Sequence, residues 1–263
     1  MSSEQPLKPI RIAKGSIVSQ LRSAYKYRGL SYIISAVPRC TRSLFFTTLP
    51  NYLWLSYYRL FRSSETFEFQ GNNYHYLFHA YCPTWKNERA AMIPIAWDMI
   101  QRFQHENKEI LEIGNMLSFV FKVNHDIIDK YEVMDGVINE DVVDFNSSKK
   151  YDLIISIFTL QWVGLNESPR EPKKVLRAIE NLKKHLSPGG EIVVIHGFGE
   201  NKDMDNLIKT GSLRFDKCFF SKRVSNYKWK ETTWDDVKDT TYDHRIPTAN
   251  GVVIGIIKKS ISL

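Results

Sequence analysis

Cysteine is scarce in this 263-residue chain, and the few present exclude two classes of protein. Cys40, Cys82 and Cys218 are odd in number and far apart, so they build neither a disulfide framework nor a zinc-type ligand spacing. They read as reduced thiols of a cytoplasmic protein. The seven histidines and three cysteines are not read as a metal-ligand set, so no metal site is expected. No apolar core follows the start closely, so no signal peptide is expected. No run reaches the roughly 20 apolar residues that a spanning helix needs. Acids are nearly absent from residues 1–64, where Glu4 stands against ten Lys and Arg for a net +9, while the other 26 basic and 28 acidic residues give −2. Positive charge confined to an extension does not line an active-site mouth, so no nucleic-acid substrate is expected. Gly-x-Gly-x-x-Gly is also missing, which disfavours a nicotinamide-dependent dehydrogenase.

What is present fits one α/β domain with an appendage. At 43% hydrophobic and 25% charged residues the composition is that of an ordinary globular protein. Residues 1–64 read as a basic, aromatic-rich helical extension, 65–106 as a hairpin and helix lead-in, and 107–263 as the main domain. Within the extension, Ile17 to Val37 is amphipathic. Ser43 to Phe61 is apolar and aromatic, with arginines at both ends and a break at Pro50-Asn51. Two readings stay open for residues 16–62: a helix pair lying on the inner face of a membrane, or an aromatic face packed on the protein or on a second copy in a homo-oligomer. TFEFQ and YHYLF alternate in polarity around Gly71-Asn72-Asn73, which predicts a hairpin. A helix is expected from Asn87 to Phe103, irregular at Pro94.

After Glu109 short apolar strands alternate with helices, which predicts a doubly wound, mostly parallel sheet. The expected strands are Ile110–Ile113, Asp126–Asp129, Val137–Ile138, Leu153–Ile157, Glu191–His196, Cys218–Arg223 and Val252–Lys258, with a helix over Glu171–Leu186. ILEIGNMLS (110–118) ends a first strand in Glu112-Ile113-Gly114, the place where open α/β sheets bind cofactors. Gly114 lets the backbone approach a ligand, and the amides that follow can receive a carboxylate. Asp129 ends the second strand, 17 residues after Glu112, where an acid can accept both hydroxyls of a ribose. Asp141, in INEDVVDF, can accept an adenine amino group. KYDLIISIFTLQWVG (150–164) and the turn-strand LSPGGEIVV follow in order.

This ordered set resembles the class I S-adenosylmethionine (SAM)-dependent methyltransferases over about residues 107–258. The resemblance implies a Rossmann-like, seven-stranded sheet with an antiparallel last strand, supplied by GVVIGIIKK, and SAM as cofactor. The implied cofactor residues are Glu112, Gly114, Asn115, Asp129, Asp141 and Trp162. The upstream TFEFQGNNYHYLFHAYCPTWKNERA is similar to the lead-in of methyltransferases of glycan and cell-surface biosynthesis. Met116 and Ser118 stand where the family carries two more glycines, which crowds the loop. Methyl transfer needs alignment and, for a hydroxyl acceptor, a base. His196, at the end of its strand, is the candidate base, set against a purely structural strand-end histidine. Trp162 can stack on adenine, face the sulfonium or pack in the core. Trp85, Asn87, Glu88 and Arg89 form a polar-aromatic cluster that covers the site or caps a helix. Asn/Asp-Pro-Pro-Tyr is absent after the fourth strand, which disfavours exocyclic-amine substrates. The expected acceptor is a small molecule, sugar or lipid-linked glycan. The alternatives are a scaffold of this fold without catalysis and an RNA methyltransferase.

Overall fold

The computed structural model describes residues 49–165 and 167–259. Most of the expected pair of interfacial helices therefore lies outside the described residues. Its last part forms α1 (Leu49–Phe61). Pro50 does not break this stretch. It occupies the first turn of α1, where a missing N–H removes no intrahelical bond. Leu55 and Tyr58 face inward, while Tyr52, Leu53, Trp54, Leu60 and Phe61 are exposed. Among the described residues no helix is long and apolar enough to cross a membrane.

The hairpin forms from β1 (Thr66–Phe69) and β2 (Asn72–His75). Its turn is Gln70-Gly71, one residue earlier than expected. Both turn residues have positive φ, 51° and 72°, which matches the twist of a two-residue connection. Helix α2 (Arg89–His105) follows and holds Pro94 in its interior. Proline there cannot bond the Ala90 carbonyl. The Leu77 N–H, arriving from the hairpin strand's extension, donates to that carbonyl at 2.9 Å instead.

The main sheet is built from β3 (Ile110–Ile113), β4 (Asp126–Ile128), β5 (Val137–Ile138), β6 (Tyr151–Ile157), helix α3 (Lys174–Lys184), β7 (Leu186–Gly197), helix α4 (Lys202–Lys209), β8 (Lys217–Ser225), β9 (Lys228–Thr232), the short helix α5 (Trp234–Val237) and β10 (Gly251–Lys258). The strand order is β5-β4-β3-β6-β7-β10-β8-β9. Strands β3 to β7 pair in parallel, and β10 runs antiparallel between β7 and β8. The sheet has eight strands rather than the expected seven. Strand β9, KWKET, carries only one buried residue, Trp229, so its sequence has no apolar alternation to announce it.

LSPGG is not a turn ahead of a strand but part of β7. Leu186 pairs with Tyr151 and Glu191 with Leu153, so residues 187–190 bulge out opposite Asp152. Alternate residues of the buried strands feed two cores. Ile155, Val193 and Ile254 face α1, α2 and the hairpin, while Ile154, Ile192 and Val194 face α3 and α4. The lead-in thus shares one core with the sheet. The link from β3 to β4 carries only the 3₁₀ turn Leu117–Phe119 in place of a crossover helix.

Candidate active site

The sheet's strand order reverses between β3 and β6, so the loops after these strands diverge and leave a crevice at their carboxyl ends. Gly114 sits at that point with φ 83°, a conformation that only glycine adopts without strain. A Cβ there would lie inside the Thr159 side chain, which comes from the turn after β6. The Gly114 N–H donates to Ile128 O at 2.8 Å and binds the turn to β4.

Glu112 does not face the crevice. It is fully buried, and its Oε1 accepts from the Met116 and Leu117 amides at 2.8 and 2.9 Å. Its Oε2 meets His125 Nε2 at 2.9 Å. This acid shapes the loop, and it draws onto itself two of the amides expected to receive a carboxylate. Asn115 is also buried, with its side chain turned to Ser118 Oγ and to the Met134 sulfur at 3.7 Å. Asp129 lies one residue beyond β4. Its Oδ1 accepts from the Tyr131 and Glu132 amides at 2.8 and 2.9 Å, while its Oδ2 accepts nothing from the described residues. Trp162 ends a 3₁₀ turn and is 39% exposed, so it is not a core residue.

Asp141 is committed elsewhere. Its Oδ2 accepts from Lys130 Nζ at 2.8 Å and from Lys174 Nζ at 2.6 Å, and its Oδ1 from the Val143 amide at 3.2 Å. Glu167 joins both lysines on the other side. Burial alone would raise the Asp141 pKa, but the two lysines outweigh it and hold the carboxyl at about 2. Asp141 is therefore not available for an adenine amino group. Because its pKa is lower in the folded than in the unfolded chain, its stabilisation is present above pH ~4 and is lost as pH falls toward ~2. Asp141→Asn should lower stability by about 2 kcal/mol at pH 7. Urea unfolding at a series of pH values should show that gap closing between pH ~4 and ~2. A gap independent of pH would mean that the ion pairs contribute nothing.

His196 is likewise enclosed. It is fully buried at the end of β7, with Nε2 2.7 Å from Asp205 Oδ1 and Nδ1 3.2 Å from Gln161 Oε1. Neither ring nitrogen is left for an acceptor's proton. The polar groups that do reach the far side of the crevice are Glu88, Arg89, Glu200 and Tyr242. Arg89 Nη1 pairs with Glu88 Oε1 at 2.7 Å, and the guanidinium lies 5.0 Å from the Phe158 ring at the end of β6. Glu88 Oε2 accepts from Thr248 Oγ1 at 2.7 Å. The cluster 85–89 caps α2, with the Arg89 amide donating to Asn87 Oδ1 at 3.1 Å, and its guanidinium lies over Phe158. Glu200, after β7, is half-buried and accepts from Gln161 Nε2. Burial first, then the charge of Glu88, push its pKa up, against Arg89 and the Tyr242 hydroxyl. The same burial and the Glu200 charge push Tyr242 up. Sequence reading passed over Glu200 and Tyr242. The one signal available was an acid three residues past the end of a central strand.

Beside this group lies a cavity of about 700 Å³ lined by residues of α1, the 82–89 segment and the 242–247 loop. Among the described residues no cluster of His, Cys, Asp or Glu could hold a metal ion.

No family profile and no curated protein matches the chain. Solved structures do. The N-methyltransferase NodS from Bradyrhizobium japonicum, in complex with S-adenosyl-l-homocysteine, is 14% identical, with 67% of this chain and 94% of that one covered at a TM-score of 0.40. An amino pentose methyltransferase from Micromonospora echinaspora, bound to SAM, is 12% identical, with 70% and 98% covered at a TM-score of 0.37. A SAM-dependent methyltransferase from Clostridium acetobutylicum is 12% identical, with 62% and 89% covered at a TM-score of 0.33. The sheet of this chain, parallel from β3 to β7 with antiparallel β10 between β7 and β8, is a Rossmann-like, doubly wound arrangement.

Proposed function

We propose that this protein binds SAM at the carboxyl ends of β3, β4 and β6 and directs methyl transfer to a small-molecule acceptor held beside Glu200 and Tyr242. The observation that carries the reading is the sheet order, with Gly114 at its switch point and Asp129 just past the end of the neighbouring β4. The residues present fit the cofactor at two places. Asp129 Oδ2 could accept from a ribose hydroxyl, and the backbone of the positive-φ turn at Gly114 could receive a methionyl group. Asp141 is engaged by Lys130 and Lys174, so an adenine ring would be held without it.

The sulfonium of bound SAM supplies an activated methyl group, which leaves this chain to align the acceptor, exclude water and take a proton. Alignment falls to the 82–89 segment, whose Arg89 lies over Phe158. The proton falls to Glu200. Burial beside Glu88 makes its carboxylate a stronger base than an exposed glutamate. Tyr242, a cavity-lining phenol next to it, positions it.

Titration calorimetry with S-adenosylhomocysteine tests the reading. Binding is expected, and Asp129→Ala should weaken it by about 2–3 kcal/mol through loss of a charged hydrogen bond. Absence of heat at millimolar ligand would leave a protein of this fold that has lost its cofactor, consistent with Met116 and Ser118 in place of glycines.

A further inference from the structure

We propose that the cavity beside α2 is an oxyanion site, and that its ligand carries a carboxylate or phosphate next to a flat or apolar body. If the methyl-transfer reading holds, this ligand is the acceptor, so the proposal rests on that reading for its role but not for the binding itself. Three cations line the cavity, Lys86, Arg89 and Arg245, and no acidic side chain does. Glu88 balances Arg89 from outside the lining, at Nη1 only. Arg245 makes no ion pair among the described residues, and Lys86 Nζ reaches only the Asn51 amide oxygen at 3.2 Å.

Two lining residues hold buried donors without acceptors. Arg89 Nε and Trp85 Nε1 are both buried with no hydrogen-bond partner among the described residues. Trp85 is only 2% exposed. A buried N–H without an acceptor is rare, because burial removes the water that would otherwise receive it. Three positive charges on a cavity that no acid lines call for an acceptor-only group. A guanidinium presents its N–H groups in a plane that suits a carboxylate or phosphate. Helix α2 begins at Arg89 with Glu88 as its N-cap, and its first turn contains no acid. The rest of the wall is aromatic. Trp54 and Tyr58 come from α1, and Tyr58 stacks near Trp85 with centroids 6.2 Å apart. Such faces receive a ring or a sugar's C–H surface.

Calorimetry on the full chain, without cofactor, decides the matter with four probes: phenyl phosphate, benzoate, inorganic phosphate and benzyl alcohol. Phenyl phosphate or benzoate should bind at least about tenfold tighter than benzyl alcohol, which lacks the charge. Inorganic phosphate, which lacks the ring, should bind more weakly than phenyl phosphate. The preference between phenyl phosphate and benzoate names the anion. Arg89→Gln strands Glu88 and can unfold the chain, so Arg245→Gln and Lys86→Gln serve beside it on the exposed rim. Each rim variant should weaken the charged probe by about tenfold and leave benzyl alcohol unchanged. Charged probes binding no tighter than benzyl alcohol, or rim variants binding them as well as the parent, would overturn the proposal. A parallel titration with S-adenosylhomocysteine separates the two readings. Anion binding without it keeps the site and removes methyl transfer, and the reverse removes the site alone.

Discussion

Glu200→Gln should slow methyl transfer by about 10²–10⁴-fold, the usual contribution of a positioned base, while S-adenosylhomocysteine binds as before. The carboxylate interacts with Tyr242 and Arg89, and burial, then the charge of Glu88, holds its pKa above the ordinary range. The parent rate, measured as S-adenosylhomocysteine release, should therefore rise with pH through that raised value. The variant should lack this limb. Stability carries a second readout with the opposite sense. Because the folded pKa lies above the unfolded one, the protonated form's contribution to stability is complete below pH ~4 and is lost as pH rises through the folded value. Glutamine, which never ionises, avoids that loss. Glu200→Gln should thus be more stable than the parent at pH 7 to 8 and level with it near pH ~4. An unchanged rate would remove Glu200 from the chemistry. Equal stability at both pH values would mean that the carboxylate is not buried as described.

Gly114→Ala should cost roughly 2–5 kcal/mol, combining left-handed strain with overpacking. Two separate conditions meet at this residue. Its φ of 83° is unfavourable for any side chain, and the Thr159 side chain fills the space where a Cβ would go. Adding Thr159→Gly to the Gly114→Ala variant should restore the steric part and leave the ~1–2 kcal/mol of backbone strain. Denaturant midpoints of the two single variants and the double variant give the coupling directly. Additive costs would show that Thr159 does not press on Gly114. Loss of S-adenosylhomocysteine binding in Gly114→Ala, recovered in the double variant, would tie this contact to the crevice.

Much of the frame was legible because it is local. Ile110–Ile113 and the cores of β6 and β7 are largely apolar runs, as expected of a sheet covered on both faces. Strand β9 was not legible, since an edge strand with a single buried residue has no pattern to read. Pro50 and Pro94 looked alike as breakers. One lies where a helix needs no N–H, and the other has its freed carbonyl taken by Leu77, which only the folded hairpin brings near.

The sequence by itself determined the strands of the main sheet other than β9, the switch-point turn at Gly114 and the acid at the end of β4, because apolar periodicity and glycine's conformational range act over a few residues. Only the tertiary structure decided what each charged group does. Asp141 lies 33 residues from the Lys174 that claims it, and Glu88 lies 160 residues from the Thr248 hydroxyl it accepts. Glu112, His196 and Asp141 looked like site residues and are held by neighbours within the protein. Glu200, Tyr242 and Arg89 were dispersed along the chain and stand together at the crevice. A carboxylate's pKa and partners depend on which distant donors the fold delivers within about 3 Å and on how much water it removes, and neither quantity is written in any stretch of neighbouring residues.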